Sequence, residues 1–366
     1  MKNIMAEMKR FEPVVYFHPG VTLEEKLQEM GMGAKEFAMR TGKPEKTIFA
    51  VINGNSSVTP DMAIAFESVT RIPASMWLIS QQKYDEYLSR KKRDKRLAAA
   101  GDWVKGFPYA EMAQQGWVEP EKTMVEKAKR LLSFFMVSSV KAWEGLYLNQ
   151  GLKLSFNISL KKARNPYALS AWLRRGEIQA EEVEVGEYSS EKLRARLPEM
   201  KKIMAEAPGE FHLRLQEECA AAGLKLIYTP CLQNAPVNGC ARWIRNSPCI
   251  QLSGRTKKYE SFWFTFFHEV GHILLHGKKN IFLEDLEYEG LQVDKEKQAD
   301  SFANRVLLSL TEEREILRRS DHTPEAIQRY ALTYGTHPSI IAARLKRIGL
   351  LPPSAYTGPE VKVELF

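Results

Sequence analysis

Phe262-Trp-Phe-Thr-Phe-Phe-His268-Glu269-Val-Gly-His272-Ile-Leu-Leu-His276 is the most apolar stretch of the chain, and its reading decides the fold of the C-terminal half. The pattern predicts a buried helix stopped at Gly277. It is too short to span a bilayer and is interrupted by His268 and Glu269. Residues four apart on a helix share a face, so the imidazoles of His268 and His272 can grip one zinc ion. Glu269 comes one position after the first of them. Zinc lowers the pKa of a water it holds toward about 7, and a carboxylate at that place can take the proton. Two imidazoles and a carboxylate are costly to bury unpartnered, and a metal ion supplies the partner. The flanks Phe264, Phe266, Phe267, Ile273 and Leu274 argue for that burial and against a helix with surface histidines.

A third ligand is needed if one zinc position is to stay open. His276 lies four residues beyond His272, but a straight helix rotates it away, and the helix dipole alone favours histidine at a C-terminus. Glu296 is the better candidate. It belongs to Glu296-Lys-Gln-Ala299-Asp300-Ser-Phe302-Ala303, which opens another apolar-striped helix. Asp300, one turn on, can accept a hydrogen bond from a ligand imidazole and fix its tautomer. Nothing in the sequence places His337 in the cleft.

Before the motif helix, Phe211 to Ala222 reads as a helix ended by Gly223. Leu224 to Tyr228 reads as a strand, as do Ala241 to Arg245 and Pro248 to Leu252, the last two separated by the turn-prone Asn246-Ser247. A short sheet followed by a buried helix points to an α+β domain. Residues from Gly223 to Leu350 resemble the ImmA/IrrE family of metallopeptidases. The stretches that carry the resemblance are Phe264-Thr-Phe-Phe-His-Glu-Val-Gly-His-Ile-Leu-Leu-His276, Glu296-x-x-Ala-Asp-x-Phe-Ala303 and Val306-Leu-Leu308. The resemblance implies a zincin-like domain, Glu296 as the glutamate ligand, a cytoplasmic location and, as substrates, DNA-binding repressor proteins. Asn238-Gly-Cys-Ala-Arg-Trp243 resembles the family's sheet, whose edge would hold an extended substrate. One position departs: the residue after Ala299 is often Asn in the family and is Asp300 in this chain.

At the other end, Met32 to Thr41 reads as a short helix ended by Gly42. Lys43-Pro44 opens a second helix running through Asn53-Gly54, with proline in its first turn. Helix, tight glycine turn, helix is the helix-turn-helix arrangement. Phe37, Ala38, Ile48, Val51 and Ile52 are its expected core. Lys46, Thr47 and Ala50 would face a major groove, with Lys43, Asn53 and Asn55 near phosphates. His18-Pro-Gly20, Gly42, Thr47-Ile48, Ile52-Asn-Gly54, Thr59-Pro60, Ala63 and Trp77 together resemble the HigA-type antitoxins of the Xre repressor class. The resemblance implies a DNA-binding module. Such modules often carry glutamine early in the first helix of the motif, where this chain has Ala34 and Lys35, and the second helix carries Phe49 and Ala50. Base specificity is therefore open, although Lys43 and Lys46 would still give salt-sensitive phosphate affinity.

The chain has 366 residues, a net charge of +8 and 27% charged residues, which suits a globular protein of two or three domains. A basic balance permits nucleic-acid binding without demanding it. The N-terminus, Met1 to Val15, lacks the apolar core of a secretory signal, so a cytoplasmic protein is expected. Cys219, Cys231, Cys240 and Cys249 form no C-x-x-C pair and read as packing residues. Arg90 to Arg96 reads as a solvated helix end or linker. Trp103, Phe107, Tyr109, Trp117, Trp143 and Trp172 read as core, and Glu181 to Glu187 as exposed.

The expected architecture is multidomain. Residues 1–98 form an all-α helix-turn-helix domain, 99–205 a mostly helical connecting region that could gate the cleft, and 206–366 an α+β zincin-like metallopeptidase domain. The expected function is a regulatory zinc endopeptidase, with a repressor or toxin partner as protein substrate, DNA as a second partner, no membrane association and a possible homodimer. The alternative is a non-catalytic antitoxin or repressor whose zinc domain only recognises a partner. Glu269 discriminates the two, because a structural zinc needs no base.

Overall fold

The computed structural model describes residues 15–149, 165–233, 235, 237–277, 282–283, 291–319, 321–355, 358–359 and 361–366. The first fourteen residues, within the stretch read for a secretory signal, lie outside the described ones. The chain divides into two compact units, Met1–Ala99 and Ala100–Phe366. Among the described residues no helix is long and apolar enough to cross a membrane.

Among the described residues the first unit has five helices: α1 (Pro19–Glu29), α2 (Ala34–Thr41), α3 (Glu45–Ile52), α4 (Pro60–Thr70) and α5 (Ala74–Ala98). Gly42, at φ +64°, closes α2 in the left-handed region, as the sequence predicts. Pro44 proves to be the residue before α3 rather than one of its first turn, because its ψ of 136° is extended. Phe37, Ala38, Ile48 and Val51 are buried with Phe66 and Trp77, and Ile52 packs half-buried against them. The charged run Arg90 to Arg96 falls inside the last turns of α5 and is mostly exposed.

The structure explains His18-Pro-Gly20. The imidazole Nδ1 of His18 accepts the Gly20 amide at 2.9 Å and so caps α1. Gly20 then lies against the end of α3. A Cβ there would stand 1.9 Å from the Val51 carbonyl oxygen and 2.9 Å from that of Ile52. Backbone oxygens cannot step aside as side chains do, so α1 or α3 must shift. Gly20→Ala is expected to destabilise this unit by about 3 kcal/mol or more. Amide hydrogen exchange on the full chain should show α1 and α3 losing protection while the helix Tyr259–His276 of the second unit keeps its own; unchanged protection of α1 would contradict this packing.

The second unit begins with short helices, α6 (Gly101–Gly106), α7 (Tyr109–Gln114), α8 (Met124–Phe134) and α9 (Val140–Trp143), the last continuing into a π-helical turn, Glu144–Asn149. Trp103, Phe107 and Trp143 pack edge to face among them, and Phe135 packs edge to face on Trp143. Then come α10 (Pro166–Glu182), α11 (Ser190–Glu206) and α12 (Phe211–Ala221), the strands β1 (Lys225–Tyr228), β2 (Gly239–Ile244) and β3 (Ser247–Leu252), and α13 (Tyr259–His276). A two-residue strand, β4 (Phe282–Leu283), precedes α14 (Leu291–Leu307), α15 (Leu310–Arg319), α16 (Pro324–Tyr334) and α17 (Pro338–Arg347).

The sheet order is β1-β3-β2-β4, with β1 parallel to β3 and the other pairings antiparallel. The hairpin between β2 and β3 turns on Arg245-Asn246, one residue earlier than the sequence suggests. Ile244 pairs with Ser247, and Arg245 takes φ +56°. Side chains alternate between the two faces. Ala241, Ile250 and Leu252 join the core that holds Trp263, Phe266 and Phe267 of α13. Arg242 and Gln251 point the other way, into α10. Arg242 Nη2 donates to the Leu173 carbonyl at 2.6 Å, and Gln251 Nε2 donates to that of Trp172 at 2.8 Å. The sheet thus lies between α10 and α13. Of residues 99–205, expected as a mostly helical connecting region, those from Ala100 belong to the same compact unit as the sheet, and α10 covers one of its faces.

Candidate metal centre

α13 is buried over most of its length, with the sheet on one flank and α14 on the other. His268, Glu269 and His272 are buried with it, at 4%, 0% and 1% exposure. α14 approaches closely at Gly271, where a Cβ would meet the Ala299 Cα at 3.2 Å and the Phe302 ring at 3.2 Å. That approach lets the first turns of α14 reach the histidines.

His268, His272 and Glu296 each offer one ligand atom, and these atoms lie within 4.8 Å of one another. The two Nε2 atoms are 2.9 Å apart. Glu296 Oε2 is 3.2 Å from Nε2 of His268, and its Oε1 is 3.5 Å from Nε2 of His272. Asp300 Oδ1 lies 2.9 Å from the other ring nitrogen of His268. The sequence predicts these four residues together, and the fold brings them together.

The electrostatics suit a cation. Burial alone would lower the pKa of His268, but hydrogen bonds with Asp300 and Glu296 hold it up to about 10. Burial pushes His272 down to about 4. Glu296 is held down to about 2 in spite of burial, by its hydrogen bonds with the two imidazoles. The carboxylates thus favour positive charge at these ring nitrogens, and a dication bound there would take the place of protons. Tetrahedral zinc spaces two nitrogen ligands by about 3.3 Å, so a small rotation of the two rings accommodates it. Two imidazoles and a carboxylate make a donor set that zinc accepts.

Glu269 lies beside this group, against the start of β2. A Cβ on Gly239 would meet Glu269 Oε1 at 2.8 Å and Thr265 Cγ2 at 2.7 Å. Gly239 and Thr265 thus wall the Glu269 carboxylate, a feature that spacing along the sequence does not signal.

A straight helix turns His276 away from the metal, and its Nδ1 lies behind the His272 ring, 3.1 Å from Nδ1, while its Nε2 lies 3.2 Å from Gln298 Oε1. It stands outside the three-ligand group, where it can orient the His272 ring, and its i+4 spacing from His272 is the signal for that contact.

His337 lies elsewhere. It caps α17, accepting the Ser339 amide at 3.2 Å on Nδ1, with its ring 4.7 Å from that of Tyr259. Burial pushes its pKa down to about 4. The unfolded chain therefore takes up this proton near pH 6.5, before the folded one does. The His337 contribution to stability is complete above that pH and is lost as pH falls toward 4. It should amount to roughly 2 kcal/mol after allowance for solvent screening. His337→Asn, which keeps a capping acceptor, is expected to flatten that part of the stability profile measured by urea unfolding. Parallel profiles in the two proteins would refute this.

In the first unit, Lys46 on α3 is exposed and Thr47 and Ala50 are half-buried. Lys43 precedes α3 with its ammonium engaged by Asp61. Asn53 ends α3, its side chain donating to the Phe49 carbonyl at 2.9 Å, and Asn55 follows, both exposed. The five expected DNA contacts, Lys43, Lys46, Thr47, Asn53 and Asn55, thus gather on and around one short helix.

The peptidase family model described as the IrrE N-terminal-like domain matches residues 219–346, which include every residue of the centre. None of the curated proteins matches the chain. Among solved structures, the chain is similar to a protein of Nostoc punctiforme described as an antidote protein of a plasmid maintenance system. Identity is 30%, covering 23% of this chain and 91% of that one, with a TM-score of 0.22. It is also similar to an addiction module antidote protein of a HigA family from Coxiella burnetii. Identity is again 30%, covering 22% of this chain and 89% of that one, with a TM-score of 0.21.

Proposed function

We propose that the chain is a cytoplasmic regulatory zinc endopeptidase whose N-terminal helix-turn-helix module binds DNA and brings the peptidase to a repressor or a toxin–antitoxin partner. The observation that carries this reading is the convergence of His268, His272 and Glu296 beside a buried Glu269. His268, His272 and Glu296 would hold the zinc, and Asp300 would fix the tautomer of His268 by accepting from its far nitrogen. Bound there, zinc polarises a peptide carbonyl and makes a nearby water acidic.

Glu269 takes the proton of the attacking water and returns it to the leaving amine, acting as base and then as acid. The walls around Glu269 exclude bulk water and keep its carboxylate aimed. The DNA-binding part rests on α2 and α3, with Lys46 and Thr47 toward the groove and Asn53 and Asn55 toward phosphates. Lys43 joins them by exchanging Asp61 for a phosphate. Pairing of two such modules on two half-sites would make the working form a homodimer.

The test is co-expression of the chain with each candidate repressor or toxin partner, followed by mass spectrometry of the fragments. Zinc-loaded protein is expected to cut one of them at a defined bond. If every candidate stays intact under the inducing condition, with zinc bound, the peptidase reading falls.

A further inference from the structure

The stripe that carries the metal centre continues beyond it. On α13, Phe264 and Thr265 precede His268 by about one turn, on the same side of the helix. On α14, Asn304 and Leu307 continue the row begun by Glu296 and Asp300. The two helices run antiparallel, as the contacts of His268 with Asp300 and of His272 with Glu296 show. Both extensions therefore meet at one place, and there they line a cavity of about 310 Å³ closed by α17. That volume suits a single amino-acid side chain. One helical turn is about 5.4 Å and an extended peptide advances about 3.3 Å per residue. A side chain one or two residues from a bond held at the metal centre reaches it.

Two guanidiniums, Arg344 and Arg347, contribute to the lining. Arg344 is largely withdrawn from solvent, with 10% of its side chain exposed, and burial lowers its pKa. Its partners among the described residues are few. Nη2 donates to the Asn304 carbonyl at 3.4 Å, and Nε forms an ion pair with Glu313 at 3.8 Å, without a hydrogen bond. A guanidinium has five donors, more than these contacts occupy, and the Arg344 side chain lines the cavity. Glu260 also borders the cavity and sets the limit of its positive charge. A largely buried guanidinium at a cavity wall is matched by a carboxylate, which it can bind with two parallel hydrogen bonds.

We infer that this cavity is a substrate subsite that selects an acidic side chain within two residues of the scissile bond, with Arg344 as its specificity-determining residue and Arg347 at its rim. The inference rests on the peptidase reading for the position of that bond, and its test separates the two. The probe is a set of nonapeptides blocked at both ends, carrying Glu, Gln or Lys at each position in turn. Binding is measured by fluorescence polarisation on the zinc-loaded full chain with Glu269→Gln, which cannot consume them.

One position is expected to favour Glu over Gln by about ten- to hundredfold. Arg344→Glu in the same background should abolish that preference or turn it toward Lys. Arg347→Glu, on the exposed rim, should weaken it severalfold and guards against loss of folding in the first variant. Binding blind to charge at every position overturns the subsite, as does a Glu preference that survives both substitutions. If the preference holds while the chain with native Glu269 cuts none of the bound peptides, hydrolysis is wrong and the pocket for an acidic side chain stands.

Discussion

Glu269→Gln is expected to lower peptide cleavage by about 10²- to 10⁴-fold and to leave the bound zinc in place. Gln keeps the length and planar shape of Glu, so the walls at Gly239 and Thr265 still fit it. It cannot accept a proton at neutral pH. The loss should appear in kcat rather than in KM, because the carboxylate acts on the water and not on the bound peptide. Zinc content measured by elemental analysis should match the parent protein, because the ligand atoms come from His268, His272 and Glu296. Activity within tenfold of the parent would remove Glu269 from the chemistry. Unchanged cleavage together with unchanged zinc would point to a binding domain contaminated by another peptidase.

What the sequence makes legible divides by distance along the chain. α13 can be read because its own residues state the case: apolar positions all round, a glycine stop, and ligands one turn apart. Glu296 and Asp300 can be read because they too are one turn apart at the head of a striped helix. α2 and α3 can be read from Gly42 and the spacing of Phe37, Ile48 and Val51.

The role of residues 100–205 cannot. Trp172 and Gln251 meet across 79 positions, and Leu173 and Arg242 across 69. No periodicity within α10 announces that its face belongs to a sheet formed so much later. The hairpin turn falls one residue off for a different reason. Arg245 adopts a left-handed conformation that a long side chain rarely takes, so the more turn-prone Asn246-Ser247 draws the boundary. His276 stays outside the ligand group, as the rotation of a straight helix predicts, and touches only the back of the His272 ring.

His272→Ala is expected to cost the second unit its zinc and, with it, the stability that zinc confers. A ligand that binds only the folded chain adds about 4 kcal/mol when present at a thousandfold excess over its dissociation constant. For a unit of this size that is a rise of roughly 10 °C in melting temperature. Added zinc should raise the melting temperature of the parent protein by that amount, and a chelator should reverse it. In His272→Ala neither should have an effect, because His268 and Glu296 alone leave a dication two ligands and no enclosing geometry.

The substitution also empties space beside buried His268, so the variant should melt somewhat below the zinc-free parent. The decisive quantity is therefore the response to zinc, not the absolute midpoint. Asp300→Asn gives the intermediate case. It keeps all three ligand atoms and weakens the hold on His268, so its zinc affinity should fall about ten- to hundredfold while the full thermal shift returns at saturating metal. A His272→Ala protein that still gains about 10 °C from zinc would place the ion elsewhere in the chain and leave α13 with buried histidines that serve only packing.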